Sequence, residues 1–203
     1  MRTAWGYDVD GELPPLLGVE CFQTMTGGRF GIGPEVESAL AAASQAVRSA
    51  CGWHICPPLD CTAKVTAVGK MAKLPAAYVS EVETVKERNP HTGDWATLTI
   101  PGEVEWRHDG LLRRRCFRNF SPMWDGVEVE YTAGFEPEAV PDLAQAVAGI
   151  AEGVLSLPRG VASESADGVA VTYTASAQSV AGAMTSQFRA QLAPYRVVSA
   201  NAV

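Results

Sequence analysis

Residues 34–54 read PEVESALAAASQAVRSACGWH, and this stretch decides how the rest of the chain is interpreted. Pro34 suits the first position of a helix, because the N–H that proline lacks would have no partner there. Gly52 suits the position just after a helix, where a left-handed backbone is common. Between them, five apolar residues at helical spacing predict one buried face: Val36, Leu40, Ala43, Val47 and Ala50. The stretch therefore predicts a helix over residues 34–51.

From residue 55 to residue 135, short alternating segments and turn residues replace the helical pattern. The clearest segment is VEVEYT at residues 127–132, which predicts a strand with Val and Tyr on one face and Glu and Thr on the other. Residues 78–85 alternate imperfectly, which allows a β-bulge. NPHTGD at residues 89–94 is typical of a hairpin turn. Short strands at this spacing predict a small antiparallel sheet or a barrel-like unit.

Helical spacing returns after residue 135. It predicts a helix over residues 141–157, with Leu143, Val147, Ile150, Val154 and Leu157 on its buried face, and a short helix over residues 183–192, with Met184, Phe188 and Leu192 on one face. Between them, residues 168–174 alternate as in a strand. We therefore predict an α+β fold with an antiparallel β-rich insertion. Its parts are an N-terminal arm (1–33), a helical body with a C-terminal strand and tail (34–54 and 136–203), and the insertion (about 55–135).

The bulk composition excludes several classes of protein. The chain has 203 residues and a formal net charge of −7, which opposes binding around DNA because phosphate neutralisation needs clustered Lys and Arg. Its first eight residues lack the apolar core of a signal peptide, and no stretch approaches the roughly 20 apolar residues of a membrane span. We expect a protein of the reducing cytoplasm with no membrane partner, whose five cysteines are mostly packed as small hydrophobic thiols.

Four residues near the end of the first predicted helix are candidate zinc ligands: Cys51, His54, Cys56 and Cys61. Thiolate and imidazole bind zinc well, but zinc sites usually take their ligands from two separate pairs of closely spaced residues. Here one cysteine lies in a helix and the other three residues in one extended run. Packed thiols are therefore the favoured interpretation, and a metal-binding protein is the alternative.

Other motifs are weaker. Gly27-Gly28-Arg29-Phe30-Gly31-Ile32-Gly33 precedes a helix, but it follows no strand and lacks the Gly-Lys-Ser/Thr of a phosphate loop, so it is interpreted as a joint. Arg113, Arg114 and Arg115 form the basic cluster of the chain, and Phe117, Phe120 and Trp124 follow closely. A solvated loop is the default interpretation of this cluster. Arg with aromatic residues is also typical of protein interfaces and of single-strand binding, and the acidic chain favours protein contact. No nucleophile elbow or carboxylate pair is present, so the sequence predicts neither an enzyme nor a cofactor.

Four strings of residues, taken in order, resemble the head-to-tail connector (adaptor) proteins of tailed bacteriophages. Residues 42–54 resemble that family's Ala/Ser-rich helix ending in a Cys-Gly-Trp-His-like string. Residues 131–135 and 141–143 resemble its Tyr-Thr-x-Gly-Phe strand end and the Pro-Asp-Leu that opens the next helix. Residues 160–164 with Thr172-Tyr173, and then residues 192–196, resemble its Gly-Val-x-Ser-Glu and Leu-x-x-Tyr-Arg strings. The resemblance as a whole covers about residues 16–196, in order.

The resemblance implies a structural protein of the virion neck, assembled in the host cytoplasm. It implies a homo-oligomeric ring of about a dozen copies held by head-to-tail contacts. The ring would lie under the portal protein, extend the channel for double-stranded DNA without sequence-specific binding, and bind a neck stopper or tail protein. A different neck part, a stopper or tail-completion protein, is the alternative within this class. The candidate interface residues are Ala42, Ala46, Arg113, Arg114, Arg115, Phe188, Tyr195 and Arg196.

Overall fold

The computed structural model describes residues 1–156, 163–166, 169–172 and 186–197. The described residues form four helices and three antiparallel sheets, so the predicted α+β class is confirmed. Among them, no helix is both long enough and apolar enough to cross a membrane. The helices are α1 (Val19–Met25), α2 (Pro34–Cys51), α3 (Pro141–Leu155) and α4 (Ser186–Leu192). The strands are β1 (Tyr7–Val9), β2 (Leu59–Val65), β3 (Met71–Lys73), β4 (Val79–Arg88), β5 (Trp95–Leu98), β6 (Val104–Trp106), β7 (Leu111–Arg114), β8 (Val127–Ala133), β9 (Ser163–Ala166) and β10 (Val169–Thr172).

Contacts divide the chain into two compact units. The β unit contains Met1–Leu13, Gly52–Pro137 and the described residues from Tyr195 onward. The helical unit contains Pro14–Cys51 and the described residues of Glu138–Pro194. Residues 1–33, expected as one arm, are therefore divided between the two units.

In the helical unit, α2 packs against α1, α3 and α4. Of the five residues on its predicted buried face, Val36, Leu40, Ala43 and Val47 are buried and Ala50 is half-buried. Two polar side chains on the same helix bind the segment before α1. The Ser44 hydroxyl accepts the N–H of Leu16 at 3.0 Å, and the buried Arg48 donates from Nη2 to the carbonyl of Pro14 at 2.7 Å. These bonds hold the second part of the predicted arm against the helix.

The ends of the later helices differ slightly from the prediction. α3 ends at Leu155 rather than residue 157, and α4 begins at Ser186, while the predicted start at residue 183 and Met184 lie outside the described residues. α4 packs against α3, where Gly149 leaves room for the ring of Phe188. A Cβ at Gly149 would lie 2.6 Å from the nearest carbon of that ring. The predicted strand at 168–174 is observed as β10, and it pairs with β9, which the sequence did not predict.

In the β unit, five strands form one antiparallel sheet in the order β1-β2-β8-β4-β5. β8 shows the predicted alternation, with Val127, Val129 and Tyr131 buried. The predicted bulge is confirmed in β4, where the register with β8 shifts at two places. A three-stranded sheet in the order β3-β7-β6 completes the unit. The insertion thus contains two antiparallel sheets rather than one.

The predicted hairpin turn joins β4 to β5. The side-chain oxygen of Asn89 accepts the N–H groups of His91 and Thr92 at 2.9 and 3.4 Å, and the N–H of Asn89 bonds to the carbonyl of Asp94 at 2.8 Å. A side-chain bond to the backbone two residues on is the feature that makes Asn favourable in turns. The local sequence was therefore enough to place this turn.

β1 is the main element that the sequence did not predict. Its three residues pair with β2 in the register Tyr7↔Ala63, Asp8↔Thr62 and Val9↔Cys61. Tyr7 and Val9 are buried and Asp8 is exposed. Three residues are too few for alternation to be recognised in a sequence, so this edge strand depends on the sheet it joins.

Candidate functional site

The small residues of α2 are divided between a buried face and an exposed face. Ala39 and Ala43 are buried within the helical unit. Ala41 and Ala42 are exposed and Ala46 is half-buried. Ala42, predicted at an interface, is therefore accessible to another chain, and a larger side chain there would point away from the protomer's own core.

The four candidate zinc ligands do not form a metal site. Cys51 belongs to the helical unit, where its Sγ lies 3.8 Å from the carbonyl of Leu192, and the other three residues belong to the β unit. In the described part of the chain, no three His, Cys, Asp or Glu side chains are arranged to hold a metal ion. Burial raises the pKa of the Cys61 thiol to about 12, which opposes the thiolate that zinc would need. All five cysteines lie among the described residues, and none is in a disulfide.

His54 has a structural role that the sequence did not reveal. Its ring is fully buried, with Nδ1 2.9 Å from the hydroxyl of Tyr7 and Nε2 2.8 Å from the carbonyl of Ala133. A carbonyl only accepts, so Nε2 carries the proton and Nδ1 accepts from Tyr7. The same hydroxyl accepts the backbone N–H of His54 at 3.0 Å. The imidazole thus connects β1 to the end of β8, and both of its nitrogens are used.

The three arginines at 113–115 do not share one environment. Along β7 the side chains alternate, so that Arg113 and Arg115 are exposed and Arg114 is only 5% exposed. Arg114 lies 3.5 Å from a carboxylate oxygen of Glu87 and 3.3 Å from one of Glu103. The guanidinium of Arg114 is therefore enclosed by its own chain, and the predicted interface role of Arg114 stays a prediction.

Arg113 and Arg115 remain accessible. Arg113 forms a longer ion pair with Glu105 at 3.6 Å, and Arg115 donates to the carbonyl of Pro101 at 2.9 Å. The neighbouring Glu103 accepts the N–H of Thr99 at 3.1 Å, and this bond, followed by the charge of Arg114, holds the pKa of its carboxyl below the usual range. Arg113 and Arg115 thus point outward, while Arg114 between them fixes this part of the chain through its ion pairs with Glu87 and Glu103.

The remaining candidate interface residues, Phe188, Tyr195 and Arg196, lie near the C-terminal end of the described chain. Phe188 is half-buried in the helical unit, in the space left by Gly149. Tyr195 lies in the β unit, where its ring packs edge-on against Phe135 at 5.7 Å and its carbonyl accepts the indole N–H of Trp53 at 2.6 Å. Arg196 is exposed. The predicted interface roles of Phe188, Tyr195 and Arg196 stay predictions, and residues 198–203 of the predicted tail lie outside the described residues.

The outward face of the five-stranded sheet is strongly charged. Lys86 lies 2.7 Å from a carboxylate oxygen of Glu130 and 3.3 Å from one of Glu128. These bonds raise the pKa of Lys86, and the bond from Lys86 lowers the pKa of Glu130. Lys64 also pairs with Glu128, at 3.4 Å. This face has no acid–base pair isolated from solvent of the kind that catalysis uses.

The comparisons with known proteins match this fold to solved structures. No known protein-family profile matches the chain, and no curated protein matches its sequence. A chain in a structure titled "Neck of empty GTA particle computed with C6 symmetry" is similar with a TM-score of 0.62 and 22% identity, over 95% of this chain and 96% of that one. Two further structures cover the same shares: "Neck of native GTA particle computed with C12 symmetry" (TM-score 0.61, 22% identity) and "Virion of native gene transfer agent (GTA) particle" (0.60, 23%). At this identity the matches show a shared fold over nearly the whole of both chains.

Proposed function

We propose that this protein is a structural, non-enzymatic component of a virion neck, and that it acts as a head-to-tail connector. In this role it forms a ring under a portal protein, extends the channel for double-stranded DNA and binds the next neck or tail protein. The observation that carries the proposal is the match of fold, over 95% of the chain, to the two GTA particle neck structures, which were computed with C6 and C12 symmetry.

Independent support comes from the sequence strings that resemble the connector family. Two of these strings contain residues that stabilise the fold of this chain. The Cys-Gly-Trp-His string ends α2 at Gly52 and supplies Trp53 and His54, both fully buried in the β unit. The Tyr-Thr-Ala-Gly-Phe string ends β8 at the carbonyl that His54 contacts. Because these strings serve the fold of the protomer, their order supports a shared architecture.

Ring formation is supported by the surface of α2. A closed ring needs each copy to present two different surfaces, one for each neighbour. The exposed small residues at Ala41 and Ala42 permit close approach of a neighbouring backbone. The net charge of −7 is compatible with a channel wall along which a DNA duplex slides without binding.

The two alternatives receive less support. A fold dominated by a β-barrel with few helices would favour a neck stopper or tail-completion protein, whereas the described residues contain a helical unit built on α2 and α3. A metal protein would need His54 as a ligand, and both ring nitrogens of His54 are engaged by Tyr7 and Ala133.

Electron microscopy of the protein mixed with isolated, portal-bearing heads tests the proposal, with light scattering of the protein alone as the control. A ring beneath the portal, with an opening as wide as a DNA duplex, is the expected result. This result is independent of whether the free protein is monomeric. The proposal would be contradicted if the protein failed to bind these heads under conditions in which the heads bind their own neck proteins.

A further inference from the structure

Two adjacent loops of the β unit expose four large apolar side chains. Phe117 is 95% exposed, Trp124 87%, Val68 76% and Met71 47%. Soluble proteins expose single apolar residues commonly, but an exposed group of them marks an interaction surface. None of these four residues has a role in the core described above.

The two loops are joined, so these side chains belong to one surface. Val68 and Met71 pair across a tight turn, and the N–H of Phe120 bonds to the carbonyl of Gly69 at 2.8 Å. The N–H of Asp125 bonds to the hydroxyl of Thr66 at 2.9 Å. Val68, Met71, Phe117 and Trp124, with the cations Lys70, Arg113 and Arg115, are called the aromatic–basic patch below.

The loops that carry the patch contain three non-glycine residues in a left-handed backbone conformation. Cys116 and Phe117, two consecutive residues other than glycine, both have φ of 57°, and Asp125 has φ of 51°. Such left-handed conformations are costly and persist only where surrounding contacts hold them, most often at functional surfaces. The backbone bonds between the loops supply those contacts, so the exposed rings are presented on a fixed frame.

The patch is basic, although the chain is acidic. Residues 113–118 read RRRCFR, in a chain of net charge −7. Arg114 is enclosed by Glu87 and Glu103 and Arg113 is paired with Glu105, so most of the outward positive charge comes from Lys70, Arg115 and Arg118. Arg113 lies opposite Met71 in the register of β3 and β7, and the ammonium group of Lys70 lies 4.9 Å from the centre of the Phe117 ring. A partner that fits this surface carries negative charge.

A surface of that charge lies elsewhere on the same unit. A groove of about 380 Å³ is lined by five acidic residues and by no Lys or Arg, and one of the five, Glu130, is paired with Lys86. We call it the acidic groove: Asp8, Asp10, Asp60, Glu83 and Glu130. The groove and the patch lie near opposite ends of β2 (Leu59–Val65). Asp60 of the groove is at the start of this strand, and Val68 of the patch follows its end by three residues. The groove and the patch are therefore two different surfaces, as head-to-tail contact requires.

We propose that the aromatic–basic patch of one copy docks on the acidic groove of the next copy of this chain. The contact combines aromatic burial with charge complementarity, the features that give interfaces their affinity and register. The inference rests on the proposed ring, and it deepens that proposal by naming the two surfaces that meet in it.

Thiol cross-linking tests the contact directly, because the exposed Cys116 lies between Arg115 and Phe117 of the patch. In a Cys21→Ser background, Glu83→Cys places a second exposed thiol in the acidic groove. A short bismaleimide added to rings on portal-bearing heads is expected to give a ladder of covalent multimers. The ladder should be absent with Cys116→Ser, and absent when the second thiol is placed by Glu138→Cys, an exposed glutamate outside the groove.

A second measurement follows assembly itself. Phe117→Ser and Trp124→Ser are expected to raise the protein concentration for half-maximal ring formation by about tenfold or more, as for aromatic hot spots. Ile32→Ser is the matched control, because Ile32 is 76% exposed but lies in the helical unit outside the patch. Thermal unfolding of each variant checks that the protomer is intact.

The outcomes separate this inference from the proposed function. Rings that form normally, without a ladder and without sensitivity to Phe117→Ser, overturn the inference alone. The same holds if the patch binds single-stranded DNA in a manner lost in Arg115→Ala while ring assembly is unchanged. Absence of any ring on portal-bearing heads overturns the proposed function, and the inference falls with it.

Discussion

His54 and Tyr7 illustrate at the residue scale how a polar pair can be part of a core. The Tyr7 hydroxyl serves both the ring and the backbone N–H of His54, and it is buried at 1% exposure. Tyr131 is equally buried, but its hydroxyl has no hydrogen-bond partner among the described residues. Burial raises the pKa of the Tyr131 phenol, so this hydroxyl is neutral at ordinary pH.

This pair of tyrosines gives a matched prediction. Tyr7→Phe removes the hydroxyl that bonds both the backbone N–H and a ring nitrogen of the buried His54, and we expect it to lower the free energy of unfolding by about 1–3 kcal/mol. Tyr131→Phe removes an unsatisfied hydroxyl, and we expect no loss or a small gain. Urea unfolding followed by tryptophan fluorescence measures both. Equal losses in the two variants would contradict the hydrogen-bond assignment.

The fold also requires a glycine at position 134. Its φ is 125°, and a Cβ at this position would lie 2.4 Å from the carbonyl oxygen of Pro57. We expect Gly134→Ala to lower the free energy of unfolding by at least about 2 kcal/mol, because it adds backbone strain to a steric clash. Gly31→Ala is the control, since a Cβ there meets nothing within 4 Å. Similar melting temperatures for the two variants would contradict the prediction, because they would show that the backbone after β8 can move away from Pro57.

At the scale of elements, α2 shows how far a sequence pattern can be taken. The bounds of α2 and four of its five predicted buried positions were correct, because helical periodicity and end signals are local properties. What the pattern left open was which small residues face outward. The pattern placed Ala43 on the buried face, but only the packing of the helical unit shows that Ala39 is buried as well while Ala42 is exposed.

That distinction makes the ring prediction testable on a folded protomer. Ala42→Trp should leave the melting temperature nearly unchanged, because the side chain is exposed, but should block ring formation through overpacking at the neighbour's surface. Ala42→Ser retains a small side chain and should assemble normally. Particles completed as efficiently with Ala42→Trp as with the parent chain would rule out close packing on this face of α2.

β7 shows the limit of reading a cluster from sequence. Three successive arginines suggest one basic surface, but a strand sends alternate side chains to opposite faces. Arg114 is therefore enclosed with Glu87 and Glu103, two residues from other parts of the chain. The alternation was predictable, whereas the carboxylates that surround the inward arginine were visible only in the tertiary structure.

At the scale of the whole molecule, the five cysteines report on the packing of both units. Cys51, Cys56 and Cys61 are buried, and Cys21 and Cys116 are exposed. We expect about two thiols per chain to react rapidly with a chromogenic disulfide at pH 8 in the native protein, and all five after denaturation. The raised pKa of Cys61 adds to its protection, because the reactive form is the thiolate. Three or more fast thiols in the native protein would contradict the described burial.

The sequence by itself determined the α+β class, the main helices, the β4–β5 hairpin and the bulge, because each depends on short-range periodicity or turn chemistry. It also supplied the strings that resemble the connector family. The tertiary structure alone decided the features that join distant residues. Among these are the pairing of β1 with β2, the bonds of His54 to Tyr7 and Ala133, and the joined loops that expose Phe117 and Trp124. These features are contacts between segments that are distant in the sequence, and local periodicity and turn residues do not indicate which segments will meet.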